Sequence, residues 1–246
     1  WDIETAEKAG FDHFMLKEIH EQPKAYRDTM GARIDDSGKR VILDEVKLTA
    51  NDLRNIRHIH IVACGTAYHA GLIGKHVIEQ LARIPVETDV ASEYRYRNPI
   101  IDQHTLVIVV SQSGETADTL AALREAKRQG ARVIAITNVV GSSVAREADD
   151  TIITWAGPEI AVASTKAYTS QLIVFYLLGM HFAQLLGTAD PALIENILAH
   201  LQQLPAQVQT ILHQAENIKA IAEKISTHDN LFFIGRGLDY AVEQEG

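Results

Sequence analysis

Cysteine is nearly missing from this sequence: Cys64 stands alone among 246 residues, so no internal disulfide can form. No unbroken apolar run approaches the roughly 20 residues of a membrane-spanning helix. The longest, Leu172 to Met180, stops at His181 and Gln184, and no membrane partner is expected. A basic excess is lacking too. Lys and Arg number 23 against 32 Asp and Glu, giving a formal net charge of -9, which argues against a nucleic-acid surface with its basic stripe. The N-terminus has no basic-then-apolar signal pattern, so the cytoplasm is the expected location. Gly74-Lys75 lacks the rest of the Walker spacing, and no nucleotide loop is predicted. The chain opens on Trp1 rather than Met, and a piece of a longer polypeptide is expected.

What is present is the composition of a folded protein, 46% hydrophobic and 22% charged. The length suits one large domain, or one domain with appended segments. The central stretch is Thr105 to Thr119. Its first part, Leu106 to Val110, is apolar and β-branched, as in a strand covered on both faces of a parallel sheet. Composition then flips to Ser111-Gln112-Ser113-Gly114-Glu115-Thr116, and Thr119 to Gln129 reads as an amphipathic helix. A buried strand turning through such residues into a helix aims backbone N–H groups and hydroxyls into one cleft, which suits a phosphate. With no Lys or Arg in the turn, oriented dipoles would hold the anion. Glu115 must then point away from it. The competing reading is ordinary N-capping by Ser113 or Thr116.

The rest of the chain repeats the strand–helix unit. Predicted strands are His58–Ala63, Pro85–Val90, Leu106–Val110, Arg132–Thr137 and Thr151–Thr154, with helices over Ala67–Ala82, at Ala91–Tyr94, after the serine-rich turn and around Ser143. Units of this length imply right-handed crossovers and a five-stranded parallel sheet with helices on both faces, an α/β fold. Small residues Ala70, Gly71 and Gly74 allow close packing on the sheet. Ahead of this, residues 1–10 read as a polar linker and Phe11 to Met30 as helix, with Pro23 ending one helix and opening the next. Behind it, Ser164 is the predicted cap of a long apolar helix to Leu186. Pro191 and Pro205 start two bridging helices, the second running to about Ile225. Asn230 to Ile234 reads as a new strand before Gly235-Arg236-Gly237, the opening of a second copy of the same unit.

In doubly wound sheets, ligands sit at the carboxyl ends of strands where strand order reverses. The turns Cys64-Gly65-Thr66-Ala67 and Ser111 to Thr116 would flank that crevice, and Val162-Ala163-Ser164 would return to it from the far side. Cys64 is read as a small buried strand-end residue rather than a nucleophile. His58 and His60 share a strand face but lack further metal ligands. Lys166 is read as a solvated surface lysine, a Schiff-base role being the alternative. Arg95-Tyr96-Arg97 is read equally as an anion-steering group or as a subunit contact or solvated loop.

These motifs resemble a known family. Ala63-Cys64-Gly65-Thr66, Ser111 to Thr119 and Val162-Ala163-Ser164-Thr165-Lys166 are similar to the first sugar-isomerase (SIS) domain of the isomerising glutamine–fructose-6-phosphate aminotransferases. Phe14 to Ile19, Glu21-Gln22-Pro23 and Glu93 to Arg97 fit as well. The resemblance implies a flavodoxin-like three-layer sandwich binding fructose 6-phosphate or glucosamine 6-phosphate, with no cofactor or metal. Ser111, Gln112, Ser113 and Thr116 would hold the phosphate with Thr66 beside them. Cys64, Val162 and Ser164 would line the sugar, and Gly65 and Ala163 count among the substrate-binding positions. Ala67 stands where the family usually has serine, so only a backbone contact could survive there. The implied boundaries are 1–45 for linker and N-terminal helices, 46–190 for the SIS domain, 191–228 for a helical bridge and 229–246 for the start of a second SIS domain. A glutaminase domain would lie upstream of Trp1. The glutamate base, ring-opening histidine and a C-terminal lysine would lie beyond Gly246, so no catalytic residue is expected within the chain, and a homodimer is implied. Two other readings are a non-catalytic phosphosugar-sensing domain of a regulator and a stand-alone phosphosugar isomerase.

Overall fold

The computed structural model describes residues 8–245. Most of the linker predicted at 1–10 therefore lies outside the described residues. Five strands, β1 (His58–Ala63), β2 (Val86–Val90), β3 (Thr105–Ser111), β4 (Arg132–Thr137) and β5 (Asp150–Ile153), form one parallel sheet in the order β2-β1-β3-β4-β5. The chain runs outward from β1 to β2, then crosses back to lay β3 on the other side of β1. The switch point is thus the gap between β1 and β3, flanked by the Cys64 and Ser111 turns. Every residue of β3 is buried, as its unbroken apolar run requires.

Side-chain alternation along the strands divides the core in two. Ile59, Ile61, Ile108 and Ile134 face a layer made by α1 (Phe14–Met30), α3 (Thr66–Ala82), α7 (Lys166–Leu186) and α8 (Pro191–Leu212). Val62, Val107, Val109 and Val133 face α4 (Ala91–Tyr94), α5 (Ala117–Arg128) and α6 (Ser143–Glu147). A short helix, α2 (Ala50–Asn55), enters the sheet domain behind a capping box between Thr49 and Asp52. Glycines let α3 come close to its neighbours: a Cβ on Gly71 would meet Ile61 at 2.8 Å, and one on Gly74 would meet the Phe175 ring at 2.4 Å. By length and composition α7 is apolar enough to cross a membrane. Phe175, Leu177, Leu178 and Phe182 in its middle are nevertheless fully buried in the core.

Three expectations fail. Pro23 does not divide the N-terminal helix: α1 runs unbroken through it. Pro205 likewise lies inside α8, and the following helix, α9, begins only at Ala215 (Ala215–Ile225). Both prolines are buried, so packing of the flanking turns against the body outweighs the lost i→i−4 bond. Asn230 to Ile234 forms no strand. An extended segment becomes a strand only with a partner ladder, and none of the described residues offers one. A last short helix, α10 (Leu238–Glu243), packs on α3 through Ala241.

Candidate functional site

Ser111, at the carboxyl end of β3, organises the turn that follows it. Its Oγ accepts from the Gly114 amide at 3.0 Å and lies 2.9 Å from Thr116 Oγ1. The Ser113 hydroxyl accepts from the Glu115 amide at 3.2 Å. Two of the turn's N–H groups are thus held by its own hydroxyls rather than aimed at a ligand, a correction to the backbone cradle expected above. The helix-cap reading also fails: α5 starts without a side-chain cap, because Thr116 turns to Ser111 instead. The first amides of α5 lack the side-chain partner that capping would supply.

Gly114 has φ +67°, and a Cβ there would sit 2.1 Å from Ser142 Oγ and 2.8 Å from Thr137 Oγ1. Only glycine fits both that conformation and that space. Glu115 points away from the cleft, as an anion site requires. Its carboxylate accepts from the Ser143 hydroxyl (2.7 Å) and amide (2.8 Å), which hold its pKa below the usual carboxylate value.

The cleft at the switch point measures about 220 Å³. Cys64, Thr66 and Ala67 form one wall. Ser111, Gln112, Ser113 and Thr116 form the second, and Val162 and Ser164 belong to the third. Gly65 and Ala163 lie between wall residues without lining it. Gly65 serves instead as the left-handed start of α3 (φ +54°). Cys64 is half-buried and faces the cleft, less enclosed than expected. Among the described residues no Lys or Arg lines it.

The third wall is fixed by carboxylates. Glu159 accepts from Ser164 Oγ (2.8 Å) and from the Thr165 and Ala167 amides (2.8 and 3.2 Å). It therefore caps α7 in place of Ser164, and Thr165 rather than Ser164 is the cap residue. Glu18, buried on α1, accepts from the Ile160 and Ala161 amides at 2.6 and 3.2 Å. Lys166 is not on the surface: its side chain is 2% exposed and paired with Glu21 of α1.

Thr119, Glu159, Ala161 and Gln171 also line the cleft and were not anticipated. Thr119 had a readable signal, lying one helical turn after Thr116 on the same face. Gln171 is the lone amide at the head of an apolar run. Thr119 Oγ1 and Gln171 Oε1 are buried without a hydrogen-bond partner among the described residues, and the cleft they line is a side from which one can reach them. Arg97 is engaged elsewhere, by Asp89 and Glu87 on β2. His60 Nδ1 lies 3.0 Å from the Tyr94 hydroxyl. A larger cavity of about 990 Å³ lies beside Arg33 and Trp155. Its central polar groups are committed within the protein: Arg33 to Glu45, Thr29 and Ile153, and Asn138 to Thr154, Ala156 and Gly157.

The sequence and the fold have counterparts among known proteins. The chain is 61% identical to the glutamine–fructose-6-phosphate aminotransferase (isomerizing) of Clostridium acetobutylicum and 59% identical to that of Caldanaerobacter subterraneus. Each match takes in 100% of this chain but only 40% of the relative. The C-terminal domain of glucosamine-fructose-6-phosphate aminotransferase from Francisella tularensis superposes with a TM-score of 0.90 at 40% identity, over 97% of this chain and 66% of that one. Glucosamine-6-phosphate deaminase from Thermotoga maritima shares the fold at a TM-score of 0.68 and 20% identity. The SIS domain model matches residues 52–181, the segment that holds all five strands and all three walls of the cleft, and the chain belongs to that family.

Proposed function

We propose that the chain is the fructose-6-phosphate/glucosamine-6-phosphate-binding part of the isomerase half of a glutamine–fructose-6-phosphate aminotransferase. The observation behind this is the set of hydroxyl protons that Ser111, Ser113 and Thr116 keep for a ligand. Whichever of Ser111 and Thr116 donates across their 2.9 Å contact, one proton is left for a ligand. Ser113 Oγ, which accepts from Glu115, keeps its own proton as well. These donors, Gln112 and the uncapped start of α5 form an uncharged grip suited to a phosphoryl group.

In the reaction named by the curated relatives, ammonia from glutamine would add to C2 of the sugar. Proton transfer between C1 and C2 needs a placed carboxylate base, which this reading assigns beyond Gly246. The phosphate grip supplies remote binding energy that orients the reacting carbons. On the same reading residues 46–190 are the SIS domain, 191–228 a bridge and 229–246 the start of a second SIS domain, in a cytoplasmic homodimer that also has a glutaminase domain. The exposed Phe232 and Ile234, with α9, none of whose residues is buried, are the kind of apolar surface that a further domain would cover. No comparison favours the regulator reading.

Ser113→Ala is expected to weaken glucosamine 6-phosphate binding by about 1.5–3 kcal/mol, the worth of a hydrogen bond to a charged group. Calorimetry showing unchanged affinity would remove Ser113 from the grip and the main support for this function.

A further inference from the structure

Thr66 stands at the lip opposite the serine-rich turn, and its hydroxyl is already engaged. Its Oγ1 lies 2.7 Å from Glu245 Oε1, and His69 Nδ1 lies 2.6 Å from Glu245 Oε2. Glu245 comes from 179 residues along the chain, brought to the first turn of α3 by the packing of α10. It does not line the cleft, whereas Thr66 does. An ionised carboxylate can only accept, and a threonine hydroxyl has one proton. Thr66 therefore donates to Glu245, and towards the cleft it presents lone pairs alone.

We propose that Glu245 is a positioning residue. By taking the Thr66 proton it makes this hydroxyl an acceptor, so the Thr66 side chain reads a hydroxyl or amine hydrogen on the sugar and not the phosphate. This rests on the phosphosugar reading above and sharpens it. One side of the cleft, at Ser111, Ser113 and Thr116, has hydroxyl protons to give and takes the acceptor-rich phosphate. On the other side the Thr66 hydroxyl has only lone pairs to give. The Glu245 charge behind that lip also disfavours a dianion there, which fixes which end of the ligand goes where. His69 serves as the second donor that holds the carboxylate in place; its Nδ1 must bear a hydrogen to do so.

The test uses the full chain, with calorimetric titrations of inorganic phosphate and of glucosamine 6-phosphate and a melting curve for each variant. Glu245→Ala is expected to weaken glucosamine 6-phosphate by about three- to tenfold, the worth of one neutral hydrogen bond, while inorganic phosphate binds as before. Glu245→Gln retains near-normal affinity, since its amide oxygen still accepts from Thr66 and its NH₂ can donate to the other tautomer of His69. Thr66→Val reproduces the loss and reads the same contact should Glu245→Ala unfold, and the double variant loses no more than either single one. Equal weakening of both ligands, no weakening of either, a Gln variant as impaired as Ala, or additive losses would each overturn the assignment. If the unaltered chain binds neither ligand, or Ser113→Ala leaves phosphate affinity intact, the phosphosugar reading itself fails, and this proposal with it.

Discussion

At the scale of single residues, the serine-rich turn arranges neutral groups as the proposed phosphate grip would need. Ser111 accepts one amide and shares one proton with Thr116, Gly114 makes room for the turn, and Glu115 is drawn off to Ser143. The sequence showed which residue types gather here, but not which amides the hydroxyls would occupy. That depends on turn geometry a few tenths of an ångström fine. A second residue-scale consequence concerns His60, whose burial lowers its pKa below 6.5, the nearby Glu87 opposing this and Arg97 adding to it. The unfolded chain then takes up the proton at a higher pH than the folded one, so stability is complete above 6.5 and declines as pH falls below it. His181, also lowered by burial, contributes with the same sign. Melting temperature should drop between about pH 7.5 and pH 5.5, and less so in His60→Gln. An identical drop in that variant would clear His60 of the effect.

At the scale of elements, α1 and α7 are joined by an unequal ion pair. Lys166 is 2% exposed, while Glu21 is 28% exposed and also lies 3.5 Å from Lys17. Removing the glutamate strands a buried ammonium, which costs about 3–5 kcal/mol. Removing the lysine leaves a carboxylate that can turn to water. Urea unfolding should therefore show Glu21→Ala to be more destabilising than Lys166→Met; the reverse order would contradict this account. Lys166 was misjudged from sequence because lysine two residues after Ser164 is ordinarily solvated, and nothing local announces a glutamate 145 residues away. The same blindness explains Pro23 and Pro205, whose helices are held together by neighbours distant in sequence. The strand predicted at Asn230 to Ile234 had the right composition but no ladder to join. By contrast all five sheet strands were legible to within a residue or two, most directly β3 and β4, where a buried parallel strand writes its burial into an apolar run.

At the scale of the whole molecule, a chain of net charge -9 presents a cleft with no Lys or Arg among the described residues of its walls. Phosphosugar binding should then lack the salt sensitivity of a cationic site. Raising sodium chloride from about 50 to 300 mM should leave the Kd within about twofold or tighten it slightly, because screening relieves the general repulsion of an anion. Marked weakening would reveal a cation that this geometry does not place at the phosphate. The walls themselves are not equally independent. Two belong to the sheet, but the third hangs from Glu18 through the Ile160 and Ala161 amides. A tug on α1 would thus be felt as a change of aperture, the helix acting as a tiller whose rudder is residues 159–164. Deuterium uptake at those two amides should quicken in Glu18→Ala while the sheet stays protected; uptake at an unaltered pace would mean the rudder has some other hinge.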